Sequence, residues 1–139
     1  MEVVDLKAEH ALALGDVIDI HAGMEFTPEL AQEVESLGGW AMFDGEHLVA
    51  IGGILPYWSG NGLGWMWLSR RWRRKARAVT ETVKGILDNS DYKRIEIGVL
   101  VGFDRGCRWA ERLGFHLETP LAKSWGPDGR DYSIYARVR

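Results

Sequence analysis

Tyr92-Lys93-Arg94-Ile95-Glu96-Ile97-Gly98-Val99-Leu100 runs without a gap into a second stretch that closes Ala110-Glu111-Arg112-Leu113-Gly114-Phe115. The first part predicts a strand over 92–99, because Ile95, Ile97 and Val99 alternate with Glu96 and Gly98. The second predicts a helix from Asp104 to Leu113. Gly114 allows that helix to stop in a left-handed cap, and Phe115 drops into the core as the next strand begins. A strand, a helix and a strand in this order imply a crossover connection.

Downstream, the chain predicts a strand over 115–125, a turn at Gly126-Pro127-Asp128-Gly129 and a last strand from Tyr132 to Val138. Upstream, Trp72, Ala76, Val79, Val83 and Ile86 share one helical face, and Asn89-Ser90-Asp91 end that helix. Before it, Leu63, Trp65 and Trp67 alternate with Gly64, Met66 and Leu68 as a long strand after the turn Ser59-Gly60-Asn61-Gly62. Trp40 to Phe43 and Leu48 to Leu55 read as a hairpin around Asp44-Gly45, closed by Pro56. Thr27-Pro28-Glu29 is a helix start, with a hydroxyl cap, a proline and an acid in the first turn. Leu30, Val34 and Leu37 form its apolar stripe, and Gly38-Gly39 end it. Ala11, Leu14, Ile18 and Ala22 mark a helix over 7–22, preceded by a short strand over 3–6. The order is βααβββαβαββ: an α/β (α+β) chain with a mixed sheet of about seven strands and four helices.

A length of 139 residues suits one compact domain, 1–139, and no repeat, low-complexity tract or linker divides it. Seven tryptophans supply large apolar area to a core or an aromatic pocket. Cys107, the only cysteine, excludes an internal disulfide and a multi-cysteine metal site, so no metal is expected. Neither a membrane-spanning run nor a signal-like start is present, which points to a cytoplasmic protein without a membrane partner. Charge is divided along the chain. Residues 1–69 hold one basic side chain, Lys7, and eleven acidic ones; residues 70–139 hold sixteen basic and nine acidic. Six of the cations lie between Arg70 and Arg77, which points to an anion site in the second half. A basic helix for nucleic acid, with Trp72 as stacking residue, is the competing reading; Trp72 fits the apolar stripe better, and the rest of the chain is acidic.

In element order, and in the stretch from Tyr92 to Phe115, the chain resembles the GCN5-related N-acetyltransferases (GNAT), whose fourth helix ends in a Tyr-x-Lys-x-Gly-Phe pattern. The resemblance implies the GNAT fold and acetyl-coenzyme A as co-substrate. The family's Arg/Gln-x-x-Gly-x-Gly/Ala phosphate signature falls on Arg71-Trp72-Arg73-Arg74-Lys75-Ala76, with Arg74 where the middle glycine is usual. Backbone N–H groups and the helix dipole hold the pyrophosphate there in the family, and Arg70, Arg71, Arg73, Arg74, Lys75 and Arg77 offer charge in compensation. The pantetheine arm is expected along Met66, Trp67 and Leu68, with Gly98 and Val99 opposite; Gly98 would admit a ligand close to the backbone. Phe103 replaces the asparagine that usually opens the fourth helix.

The family's general-acid tyrosine position is Ala110. Cys107, one turn earlier, is a substitute candidate near the sulfur, and Glu96, His47 and His116 are candidate bases by residue type. Two functions follow. One is an N-acyltransferase acting on an amine; the acidic first half, including Glu25, Glu29, Glu33 and Glu35, suits a cationic small molecule or a lysine-bearing protein. The other is a catalytically inactive GNAT-fold module that docks onto another protein, motivated by Ala110 and Phe103. The chain's compact length, arginine-rich loop and Trp125-Gly126-Pro127-Asp128-Gly129 hairpin are also similar to small acetyltransferase-like proteins of tailed phages, which would imply a host protein partner in the host cytoplasm. Dimers are common in this fold, so a homodimer is a further expectation.

Overall fold

The computed structural model describes residues 1–15, 26–126 and 129–139. Ile18, Ala22, Glu25, Pro127 and Asp128, named above, lie outside the described residues. The elements are β1 (Glu2–Asp5), α1 (Ala8–Gly15), α2 (Pro28–Ser36), β2 (Trp40–Asp44), β3 (His47–Trp58), β4 (Asn61–Leu68), a 3-10 helix (Arg70–Arg74), α3 (Ala76–Asp88), β5 (Arg94–Leu100), α4 (Asp104–Arg112), β6 (His116–Ala122) and β7 (Tyr132–Val138). Seven strands form one mixed sheet in the order β1-β2-β3-β4-β5-β7-β6. The β4–β5 ladder is parallel, while β1–β2, β2–β3, β5–β7 and β6–β7 are antiparallel. This is the expected order and class, with the 3-10 helix added. No helix among the described residues is long and apolar enough to cross a membrane.

Contacts divide the chain into two compact units, Met1–Leu55 with Trp65–Thr82, and Pro56–Gly64 with Val83–Arg139. In the first, Leu6, Ala11, Leu14, Phe26, Ala31, Val34, Ala41 and Ile51 form the core, with Trp65 and Trp67 packed against it. The Thr27 hydroxyl accepts the Leu30 N–H at 3.2 Å and starts α2 as its sequence predicts. The Glu35 carboxylate accepts the Ala8 N–H at 3.2 Å, placing an anion at the start of α1. Glycines make room for the tryptophans. A side chain at Gly52 would lie 2.7 Å from the Trp40 ring, and one at Gly53 3.0 Å from the Trp65 ring.

Two element predictions are corrected. β3 continues through Pro56 to Trp58; β2 pairs with it only from His47 to Gly52, so the missing N–H of Pro56 falls beyond that ladder. The helix over 72–86 is broken at Lys75. The Ser69 hydroxyl accepts the Arg71 N–H, and Trp72 and Lys75 donate to carbonyls three residues back, which winds the basic segment into 3-10 geometry. The buried line of α3 is accordingly Val79, Val83 and Leu87, with Ile86 half-buried.

In the second unit, Ile95 and Val99 of β5 and Tyr135 of β7 are buried on one face. Arg137 bonds the Asp88 carboxylate and Arg139 the Asp88 carbonyl, so one cation of β7 and one just after it meet the C-terminal end of α3. Gly114, at φ +92°, ends α4 as predicted.

Candidate functional site

The basic turn lies wholly in the first unit. Ser69 is completely buried: its N–H donates to the Val49 carbonyl at 2.8 Å, and its hydroxyl caps the 3-10 helix. From that anchor Arg70, Arg71, Arg73, Arg74 and Lys75 extend into solvent, and Trp72 is half-buried. α3 follows directly, with Arg77 and no acidic residue in its first turn. The first N–H groups of a helix lack acceptors within it, so this end presents donors and positive potential together. Lys75 stands 3.6 Å from the Asp44 carboxylate, and Arg77 is 3.2 Å from that of Glu81. Arg74, in the position where the family has glycine, sits in the 3-10 helix without a positive φ. The backbone here does not require a glycine. A phosphate group fits this donor set. Among the described residues no group of three or more His, Cys, Asp or Glu side chains is placed to hold a metal.

On β4, Met66 and Trp67 are half-buried and Leu68 is buried. Trp65 and Trp67 stack at 5.2 Å, and Trp67 meets Phe26 edge-on at 5.1 Å, so both rings belong to the apolar core. Among the described residues the buried Trp65 indole N–H has no hydrogen-bond partner.

Glu96 and Gly98 occur in the second unit on one face of β5, and the structure changes the meaning of both. Arg94 donates to Glu96 Oε1 through Nε at 3.1 Å and a terminal nitrogen at 2.7 Å, and holds Glu118 of β6 at 3.0 Å. Bonds to the two carboxylates hold the Arg94 guanidinium more firmly protonated, and Arg94 pulls the Glu118 carboxyl below its ordinary pKa. Glu96 is therefore an ion-paired carboxylate, not the isolated strand glutamate that residue type suggested. Over Gly98 lies the Trp125 ring: a Cβ there would be 2.3 Å from it. The close approach expected of a ligand is made by the protein's own tryptophan. Trp125 also packs 5.5 Å from Tyr132, and Tyr57 has a raised pKa through burial and, secondarily, the negative charge of Glu96.

α4 carries the remaining candidates. Phe103 precedes its first turn without a side-chain cap and lays its ring on Gly106, where a Cβ would be 2.4 Å away; Asp104 supplies the first-turn anion. Ala110 is completely buried. Cys107 is half-exposed and hydrogen-bonded to Tyr135, a buried side chain of β7. That bond, with burial and the charges of Cys107 and Glu111, pushes the Tyr135 hydroxyl up to about 12. His47 and His116 are exposed, as are Glu29 and Glu33; Glu35 is committed to α1. Nothing in the residue pattern announced the Trp125–Gly98 and Cys107–Tyr135 contacts, because each joins positions 27 or 28 residues apart.

The architecture is the GNAT fold, the class defined by N-acetyltransferases. The ribosomal-protein-S18-alanine N-acetyltransferase from Escherichia coli superposes with a TM-score of 0.76 at 14% identity, covering 99% of this chain and 92% of that one. A variant of the spermidine N-acetyltransferase from Vibrio cholerae gives 0.71 at 15%, covering 99% and 95%. The ribosomal L7/L12 alpha-N-protein acetyltransferase in complex with coenzyme A gives 0.72 at 15%, covering 94% and 86%. No family model matches the sequence, and no curated protein matches it.

Proposed function

We propose that the chain is an acetyl-coenzyme A-dependent N-acyltransferase that transfers an acetyl group to an amine. The observation that carries this is the basic 3-10 turn on buried Ser69, leading into an α3 whose first turn has donors and no acid. Such a site suits the coenzyme's phosphates, with Arg70, Arg71, Arg73 and Arg74 as charge-assisted donors and Arg77 at its border. The backbone of Met66, Trp67 and Leu68 remains the proposed track for the pantetheine amides. The activities of the structural neighbours, spermidine and ribosomal-protein N-acetyltransferases, support amine acetylation as the reaction class.

In that reaction the acceptor gives up a proton to solvent, the neutral amine nitrogen bonds to the thioester carbonyl carbon and sheds its second proton, and the carbon–sulfur bond breaks as the thiolate leaves. Ala110 cannot protonate that thiolate, so positioning and solvent protons would provide what a side-chain acid does elsewhere. The test is calorimetric titration with acetyl-coenzyme A, native against an Arg70→Ala, Arg71→Ala, Arg74→Ala variant, followed by thiol release with an amine panel. Micromolar binding, weakened at least tenfold in the variant, is expected. Absence of binding at millimolar ligand overturns the proposal, and binding without turnover on any amine would favour the inactive docking module.

A further inference from the structure

We infer that the sheet face around Glu96 and Trp125 seats an alkylammonium group, the protonated form of the acceptor; this rests on reading the chain as an amine acetyltransferase and names the class of amine. Glu96 and Gly98 point to the same side of β5, about 6.6 Å apart along the strand. The Trp125 ring rests on Gly98, so the indole occupies the strand position next to the Glu96 side chain on the same side of β5. The ring is held in place by Gly98 beneath it and Tyr132 beside it, yet Trp125 keeps 41% of its surface open. An exposed, immobilised indole face is what a cation–π contact needs.

The carboxylate is available in the same sense. Both Arg94 bonds to Glu96 fall on Oε1, and among the described residues Oε2 takes no hydrogen bond. Arg94 also serves Glu118, so one guanidinium faces two carboxylates and the cluster stays one positive charge short of neutrality. A primary ammonium would donate to Oε2 and lie against the indole. A neutral alcohol of the same length would gain neither the ion pair nor the cation–π contact. The acidic residues of α2 fit this role less well, since the Glu35 carboxylate is used at the start of α1.

The experiment is titration of the full chain, with no acetyl donor present, by n-butylammonium chloride and by n-butanol, following the Trp125 indole N–H by NMR. Two further ligands, an N-acetyl-lysine amide and its norleucine analogue, ask whether the ammonium comes from a free amine or a lysine side chain. Saturable binding of at least one ammonium, at least fivefold tighter than its neutral counterpart, is expected. Trp125→Leu and Glu96→Gln should each weaken it about fivefold, while Glu46→Gln, on the exposed β2–β3 turn, should not. Equal affinity for charged and neutral ligands, binding of neither ammonium, or native affinity in Glu96→Gln overturns the inference. Glu96→Gln preserves shape, so it stays decisive should Trp125→Leu fail to fold. With no acetyl donor in the cell, failure of coenzyme binding and failure of ammonium binding are scored separately.

Discussion

Replacing Gly98 by alanine tests the placement of Trp125 directly. The added Cβ would stand 2.3, 2.8 and 3.1 Å from three atoms of the indole, distances at which something must move. The indole moves, because Gly98 is held in register against Ile134 of β7 while Trp125 is partly open to solvent. A tryptophan that is 41% exposed covers about 150 Å² against its neighbours. At about 25 cal/mol per Å² that contact is worth up to about 4 kcal/mol, and losing half of it costs about 2 kcal/mol. Alanine in place of glycine in a strand returns roughly 0.5–1 kcal/mol. Gly98→Ala should therefore destabilise by about 1–1.5 kcal/mol, lowering Tm by roughly 4–6 °C in a chain of this size. The assay is urea unfolding of four proteins: native, Gly98→Ala, Trp125→Ala and the double variant. In the Trp125→Ala background the same alanine should be neutral or stabilising, which gives a coupling of about 2 kcal/mol. An equal cost of Gly98→Ala in both backgrounds refutes the assignment of Trp125 to this seat, and with it the indole wall of the ammonium site.

Three other perturbations have defined outcomes. Trp65→Phe deletes a buried N–H without an acceptor, whose desolvation costs about 1–3 kcal/mol, so urea unfolding should find it within about 1 kcal/mol of native or more stable. Ser69→Ala removes the hydroxyl that caps the basic turn and should cost about 1 kcal/mol; acetyl-coenzyme A affinity, by calorimetry, should fall with it. The Glu118 carboxyl titrates below its ordinary pKa because Arg94 bonds it, so its stabilisation is present above that ordinary pKa and is lost as pH falls through the lower folded value; NMR titration should show the depression vanish in Arg94→Met.

Local signals carried most of the fold. The Thr27-Pro28-Glu29 start, the Asp44-Gly45 turn and the Gly114 stop each specify backbone geometry within a few residues, and each is found where its chemistry puts it. The basic turn could be located the same way, because six cations in eight residues are a local fact. Its geometry could not. Helical periodicity from Trp72 onward masked the 3-10 segment, which depends on the Ser69 hydroxyl closing on Arg71. The β5 face was still less accessible: Glu96 looks like a solitary acid until Arg94, two residues away on the same side, is seen to bind it together with Glu118. Gly98 looked like an opening because a glycine states only that something lies close, and the neighbour was Trp125, 27 residues on.

That substitution of a protein ring for an expected ligand bears on how this fold can be specialised. A glycine in a strand permits close approach from one side, and whichever group fills it sets the chemistry of that face. Here the group is a partly exposed indole, beside a carboxylate that Arg94 bonds through one of its oxygens. On the other unit the same logic runs in reverse. The family's glycine is replaced by Arg74, and the backbone is held by Ser69 instead, whose hydroxyl and carbonyl take the Arg71 and Trp72 N–H groups, so the turn gains a guanidinium. Under the proposed function the cations of the first unit would hold phosphate, and the aromatic and anionic face of the second would hold an amine.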